Sequence, residues 1–175
     1  MPDLESRLRA IRMVSTDVDG VLTDGSLIYG SGPHTKNFNV RDGAAIKWLQ
    51  QSRIPVVFIS GLDSPATLRR AADLGIEDCL TGKLDKLPAL ESLCRKHGVS
   101  FDQVAHLGDD LHDLPLLRRV GLACCPADAA LEVKQACQLV LATPGGRGAF
   151  REAAERILIA QGLWVALLAR FQDGP

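Results

Sequence analysis

The 175-residue sequence has almost no charge imbalance: 20 Lys and Arg stand against 21 Asp and Glu, for a formal net charge of −1. That leaves no electrostatic case for a nucleic-acid partner or an anionic membrane surface. No apolar run approaches the ~20 residues that span a bilayer. The opening MPDLESRLRA holds no apolar stretch, so neither a membrane span nor a signal peptide is expected. The five cysteines, Cys79, Cys94, Cys124, Cys125 and Cys137, form no CxxC pair. An odd count without an export signal suits reduced thiols and a cytoplasmic location. His34, His97, His106 and His112 lack the HxxxH or HExxH spacing, which argues against zinc. No linker, repeat or low-complexity segment interrupts the chain, so a single domain over residues 1–175 is expected. Apolar residues at 46% and charged ones at 23% are ordinary for a soluble globular protein.

What the sequence does contain is a rhythm of short apolar runs and helix-period stretches. Strands are expected at 11–14, 54–59, 76–80, 104–107, 121–125 and 139–142. Helices are expected at 44–51, 66–74, 84–97, 111–119, 129–136 and 149–161, two of them stopped by Gly75 and Gly98. Such alternation implies an α/β fold: a three-layer, Rossmann-like parallel sheet with helices on both faces. Ligands in these sheets sit at the carboxyl ends of strands, where the strand order switches. Residues 26–40, SLIYGSGPHTKNFNV, break the rhythm and read as an inserted β-hairpin turning at Gly30-Ser31-Gly32-Pro33. Residues 163–175 are apolar, then polar, as expected of a docked helix with a loose end.

Two acidic clusters follow apolar strands. In TDVDGVLTDG, Asp17 and Asp19 are two apart and project to the same side if strand geometry persists. In GDDLHD, Asp109, Asp110 and Asp113 follow the run 104–107. Crowded carboxylates beside a core repel and are costly to desolvate. One hard cation removes that repulsion, and Mg²⁺ takes carboxylate and water oxygens at ~2.0–2.1 Å. The competing reading, helix caps and turns, accounts for Asp110 or Asp113 alone better than for both clusters together. Ser60 and Gly61 end another strand and can donate to a phosphate, although Ser-Gly is also a common turn. Lys86 opens a helix, where a cation opposes the macrodipole unless it faces an anion; Lys83 competes for that role.

DVDGVLTDG, the strand-terminal Ser60, the helix-initial Lys86 and GDDLHD, in this order, resemble the four motifs of the haloacid dehalogenase superfamily of phosphohydrolases. FNVRDG, VGLACCPADA and GGRGAFRE are similar to the capless branch typified by 3-deoxy-D-manno-octulosonate 8-phosphate phosphatases, which serves lipopolysaccharide biosynthesis. The resemblance covers residues 11–162. It implies Asp17 as nucleophile and metal ligand, and Asp19 as general acid/base with its backbone carbonyl on the metal. It implies Asp109 as third protein ligand, with Asp110 and Asp113 nearby behind the ligands. Ser60, Gly61 and Lys86 would hold the phosphoryl group. Leu62 stands where an arginine is usual. Arg70 and Arg147 are candidates to reach the substrate instead, and a surface role is open for Arg69 and Arg70.

The resemblance therefore implies a Mg²⁺-dependent phosphomonoesterase acting through an aspartyl-phosphate on a sugar-acid phosphate. The substrate is an octulosonate 8-phosphate, a nonulosonate 9-phosphate, or another small phosphate. A non-catalytic oligomerisation module has no need of Asp17, Asp19, Lys86 and Asp109 together. A receiver-type phosphoacceptor places its acidic pair and its acceptor on different strands, unlike DVDG. The hairpin carries Leu27, Ile28, Tyr29, Phe38 and Val40, with little nearby to bury them against, so a homotetramer joined by hairpins is expected.

Overall fold

The computed structural model describes residues 2–29 and 35–172. Six parallel strands form one sheet: β1 (Met13–Thr16), β2 (Val56–Ile59), β3 (Cys79–Leu80), β4 (Val104–Leu107), β5 (Leu122–Cys125) and β6 (Leu139–Val140). Their order is β3-β2-β1-β4-β5-β6, as expected of a doubly wound α/β sheet. The chain therefore leaves β1 for one side and returns to its other side as β4, which puts the switch point between them. In register, Thr16 pairs with Leu107, the last residue of each strand. Whatever follows β1 and β4 must meet at one edge.

Alternating side chains feed two cores. Val14, Val56, Phe58, Ala105 and Leu122 face one core; Met13, Val57, Ile59, Val104 and Ala123 face the other. The first core is covered by α1 (Leu4–Ala10), α2 (Val40–Gln51), α3 (Pro65–Leu74), α7 (Ala149–Ala160) and α8 (Trp164–Gln172). The second lies under α4 (Leu87–His97), α5 (Leu114–Leu117) and α6 (Leu131–Ala136). Fully burying a side chain such as Phe58 stabilises by ~1.5–3 kcal/mol. Gly75 and Gly98 end α3 and α4 in the left-handed conformation, both at φ 65°.

Several boundaries differ from the sequence pattern. Helix α1 was absent from it; its Asp3 carboxylate caps the helix by accepting from Ser6 N at 2.8 Å. The helix expected at 111–119 is a 3₁₀ turn, Leu111–Asp113, followed by the short α5. Asp110 and Asp113 cap each other's backbone there, and Pro115 starts the α-helix afresh. The strand expected at 76–80 is paired only at Cys79 and Leu80.

The hairpin expected at 26–40 is represented by one antiparallel bridge, Ile28 to Thr35; its turn at 30–34 lies outside the described residues. Its apolar side chains do not all lack a surface to pack on, which corrects the sequence expectation. Phe38 packs against the first core and lies under the Arg70 guanidinium, 5.7 Å from the ring centroid. Leu27, Ile28 and Tyr29 remain exposed, as does Val40, which belongs not to the hairpin but to the first turn of α2. Helix α8 docks by its tryptophan: Trp164 meets Trp48 edge-on at 5.7 Å, and the Arg151 guanidinium sits 4.1 Å over the Trp48 ring. Residues 173–175, the expected loose end, lie outside the described residues.

Candidate active site

Asp17 follows β1 directly, and its N–H donates to Leu107 O of β4 at 2.9 Å, so sheet pairing continues one residue beyond the strand. The backbone then turns: Leu22 N and Thr23 N both donate to Val18 O. Asp19 sits on that turn, yet it lines the same cleft as Asp17. On the adjacent strand, β4 ends at Leu107, and Gly108 leads into Asp109. The two acidic clusters thus converge on a cleft of about 380 Å³ that includes Asp17, Asp19, Gly61, Lys86, Asp109 and Asp113. A second cleft, about 430 Å³, opens near Pro55 and Val56 at the start of β2. Its Asp78 already accepts from Lys96 at 2.6 Å and meets His97 Nε2 at 2.8 Å.

Asp17 is buried. Its Oδ1 accepts from Val18 N at 2.6 Å and its Oδ2 meets Lys86 Nζ at 2.7 Å. Lys86 is the N-cap residue of α4 and only 2% exposed, whereas Lys83 is exposed; burial separates the two candidates. The Lys86 ammonium is shared with Asp113 Oδ1, also at 2.7 Å. Burial would push the Lys86 ammonium down, but Asp113 and Asp17 together hold it above its ordinary value.

Asp113 is a keystone of the second cluster. Its Oδ1 also meets His106 Nε2 at 3.3 Å, and its Oδ2 accepts from Asp109 N at 3.1 Å. Burial would raise its carboxyl, but His106 and Lys86 outweigh burial and hold it low. Asp110 also lines the cleft, but its Oδ1 accepts from Leu111 N at 2.8 Å as a cap. The Asp109 carboxylate makes no hydrogen bond or direct ion pair among the described residues. Burial, then repulsion by Asp17 and Asp113, push it up to about 8. Asp17 is raised too, by burial first and by Asp113 next.

Asp17, Asp109 and Asp113 offer oxygens within 4.8 Å of one another. One ammonium serves three carboxylates there, and the uncompensated charge falls on Asp109. All-oxygen donors with excess negative charge fit a hard divalent cation. Asp113 is the most heavily engaged of the three, with Lys86 and His106 on Oδ1 and the Asp109 and Asp110 N–H groups on Oδ2; Asp17 has one partner on each oxygen and Asp109 has none among the described residues.

Ser60 follows β2; its hydroxyl donates to Leu62 O at 3.1 Å and stands 3.5 Å from Asp19 Oδ2. The Gly61 N–H makes no hydrogen bond among the described residues and lines the cleft. Arg70 and Arg147 are not among the residues lining it. Arg70 donates to Asn39 O at 3.3 Å, Arg147 is exposed, and Arg69 pairs outward with Asp73 at 3.1 Å.

Lys36 had no advance signal, and GGRG, marked only by its resemblance, had no expected place in the fold. Lys36, on the returning limb of the hairpin, pairs with Asp19 at 2.7 Å across 17 positions that no periodicity links. Gly145 lies so close to the first acidic loop that a Cβ on it would sit 1.9 Å from Gly20 O. Its neighbour Gly146 donates to Val21 O at 2.9 Å. GGRG therefore packs against the backbone of the first acidic loop, although none of its residues lines the cleft. His106, one of the four histidines without metal-binding spacing, is buried between Ser15 Oγ, at 3.1 Å, and Asp113.

A family model for haloacid dehalogenase-like hydrolases matches residues 75–148. The 3-deoxy-D-manno-octulosonate 8-phosphate phosphatase of Haemophilus influenzae is 48% identical over 160 residues, 91% of this chain and 89% of that one. The crystal structure of the Moraxella catarrhalis phosphatase of that name, in complex with magnesium ion, phosphate ion and a KDO molecule, superposes with a TM-score of 0.93. It is 38% identical and covers 95% of this chain and 97% of that one. A probable YrbI-family phosphatase from Pseudomonas syringae superposes with a TM-score of 0.96 at 43% identity, over 99% of both chains.

Proposed function

The chain belongs to the haloacid dehalogenase-like hydrolases, among the 3-deoxy-D-manno-octulosonate 8-phosphate phosphatases, and on that premise we propose that it hydrolyses 3-deoxy-D-manno-octulosonate 8-phosphate with Mg²⁺. The observation that carries this reading is Asp17: a buried carboxylate at the end of β1, held by Lys86 at 2.7 Å, beside an Asp109 carboxylate that has no cation of its own. Asp17 and Asp109, with the backbone carbonyl of Asp19, would hold the metal. When bound, it would neutralise the carboxylates and the phosphoryl charge.

The protein's own groups divide the rest of the work. An Asp17 oxygen bonds to phosphorus as the bond to the sugar oxygen breaks, and the leaving alkoxide takes a proton from Asp19. Water then bonds to phosphorus, giving a proton to Asp19, and Asp17 leaves as carboxylate. Lys86 and the Gly61 N–H offset the charge on the equatorial oxygens, where most of the acceleration of phosphoryl transfer arises. Ser60 supports that loop through Leu62 O.

Leu62 supports a second reading, a related phosphatase acting on another small phosphate, because its apolar side chain lines the cleft where an arginine is usual. Phosphate release decides between them. Octulosonate 8-phosphate with Mg²⁺ should be the best substrate of a sugar-phosphate panel, with activity lost to EDTA and restored by added metal. A panel without turnover, or turnover indifferent to EDTA, ends the reading.

We also propose a cytoplasmic homotetramer. No helix among the described residues is long and apolar enough to cross a membrane, and all five cysteines are free thiols. Leu27, Leu62 and Leu84 ring the cleft, and Ile28 continues the patch at 57% exposure. An apolar rim around a capless cleft suits a neighbouring copy. Sedimentation should give four chains for the wild type, and smaller species for Ile28→Asp/Tyr29→Asp, both on the outgoing limb of the hairpin. Phe38 is avoided because it packs on its own core. A monomeric wild type, or a double variant that stays assembled, removes the hairpin from the assembly.

A further inference from the structure

The acidic site uses two buried lysines, one for each aspartate of DVDG. Lys86 serves Asp17 from α4. Lys36 serves Asp19 from the hairpin, one residue beyond the Ile28–Thr35 bridge. The Lys36 side chain is 0% exposed, and its ammonium stands 2.7 Å from Asp19 Oδ1 and 2.8 Å from Oδ2. Thr67 Oγ1 of α3 accepts from the same nitrogen at 3.1 Å.

An ammonium has three donors. Two carboxylate oxygens and one hydroxyl use all of them, so none is left to meet a substrate. Asp19, in contrast, depends on this contact. It sits on a turn, its side chain is 26% exposed, and its other partner is Ser60 Oγ at a weak 3.5 Å. Without Lys36 nothing among the described residues selects one rotamer for it. Burying a flexible lysine is costly in solvation and in rotamer freedom, so a surface-anchoring role alone is a poor account of it.

We propose that Lys36 is a positioning residue that fixes the Asp19 carboxyl group at the mouth of the cleft for its proton transfers, making the returning limb of the hairpin part of the catalytic apparatus. This rests on the phosphatase reading above. Lys36 itself forms and breaks no covalent bond. The proton moves between Asp19 and the sugar oxygen in the first half of the reaction, and between water and Asp19 in the second.

The test is a double-mutant cycle on the full enzyme with octulosonate 8-phosphate. Misplacing a catalytic group by about an ångström costs roughly 100-fold. Lys36→Met should lower kcat by roughly 10- to 100-fold and move KM by less than about threefold. In an Asp19→Asn background the same substitution should cost under about threefold, because the group it acts through is already gone. Thr67→Val, which removes one partner of the ammonium, should lower kcat by about two- to fivefold at constant KM. It carries the test by itself if melting shows Lys36→Met to be unfolded. A raised KM at constant kcat would place Lys36 on the substrate and overturn the proposal. So would an additive loss in the Asp19→Asn background, or an unchanged kcat in every variant. An inactive wild type fails differently: it removes the phosphatase reading first, and the Lys36 role with it.

Discussion

Asp17→Asn should abolish turnover and leave the protein folded. The substitution is isosteric, so Val18 N keeps an acceptor at Oδ1. The amide nitrogen then replaces the oxygen that meets Lys86 at 2.7 Å, setting donor against donor. A carboxamide is also no nucleophile for phosphorus. Loss of a covalent nucleophile costs on the order of 10⁴- to 10⁶-fold. Stability should not fall in parallel. The Asp17 carboxylate is held in an unfavourable place, its proton affinity raised by burial and by Asp113, and the amide relieves that repulsion. The melting temperature is therefore expected to stay within a few degrees of the wild type, with phosphate release undetectable. Residual activity above about a tenth of wild type would remove Asp17 from the chemistry.

Asp109→Asn and Asp19→Asn should fail in opposite ways. Asp109 contributes a side-chain oxygen to the proposed cation, and its loss should weaken the Mg²⁺ midpoint by at least about 100-fold. Asp19 contributes only its backbone carbonyl, so Asp19→Asn should hold the midpoint within about fivefold while the rate falls roughly 10²- to 10⁴-fold. Equal metal defects in the two variants would show that the division of roles is wrong. The acidity of Asp109 adds a signed test. Its metal-free carboxyl titrates at about 8. Metal must therefore displace a proton below that pH, and apparent Mg²⁺ affinity should weaken by about tenfold per unit as pH falls from 8 to 6. The linkage to stability runs the other way. A raised folded-state pKa stabilises below the unfolded value of about 3.8, and the benefit is lost as pH rises through about 8. The metal-free protein should thus weaken over that window, more than Asp109→Asn does, and Mg²⁺ should reverse the loss. Thermal melts at pH 5, 6, 7 and 8, with and without metal, would show it; parallel curves for the two proteins would refute it.

The acidic groups were legible because each follows an apolar strand, and a parallel sheet brings such strand ends to one edge. The run 104–107 coincides with β4, and DVDG and GDD were bound to meet once β1 and β4 were neighbours. Lys86 was legible as a cation misplaced at a helix start. Lys36 was not, since its partner lies across a hairpin whose course no local pattern dictates. His106 could not be told from an ordinary core histidine, because its partners Ser15 and Asp113 are set by strand register. The helix expected at 111–119 shrinks to α5 because reciprocal capping by Asp110 and Asp113 sets a 3₁₀ turn first, against the apolar periodicity.

The packing of GGRG on the first acidic loop also bears on synthesis. The loop between Asp17 and Val21 is closed by Gly145 against Gly20 O and by the Gly146 N–H on Val21 O. Asp42 of α2 reaches across to accept from Arg151 N of α7 at 2.8 Å, joining the same late segment to an early helix. A ribosome that has released β1 through β4 has already made both acidic clusters, but GGRG has not yet been translated. The nascent chain therefore carries Asp17 long before the loop that follows it is packed, and that packing is complete only when α7 emerges and docks on α2.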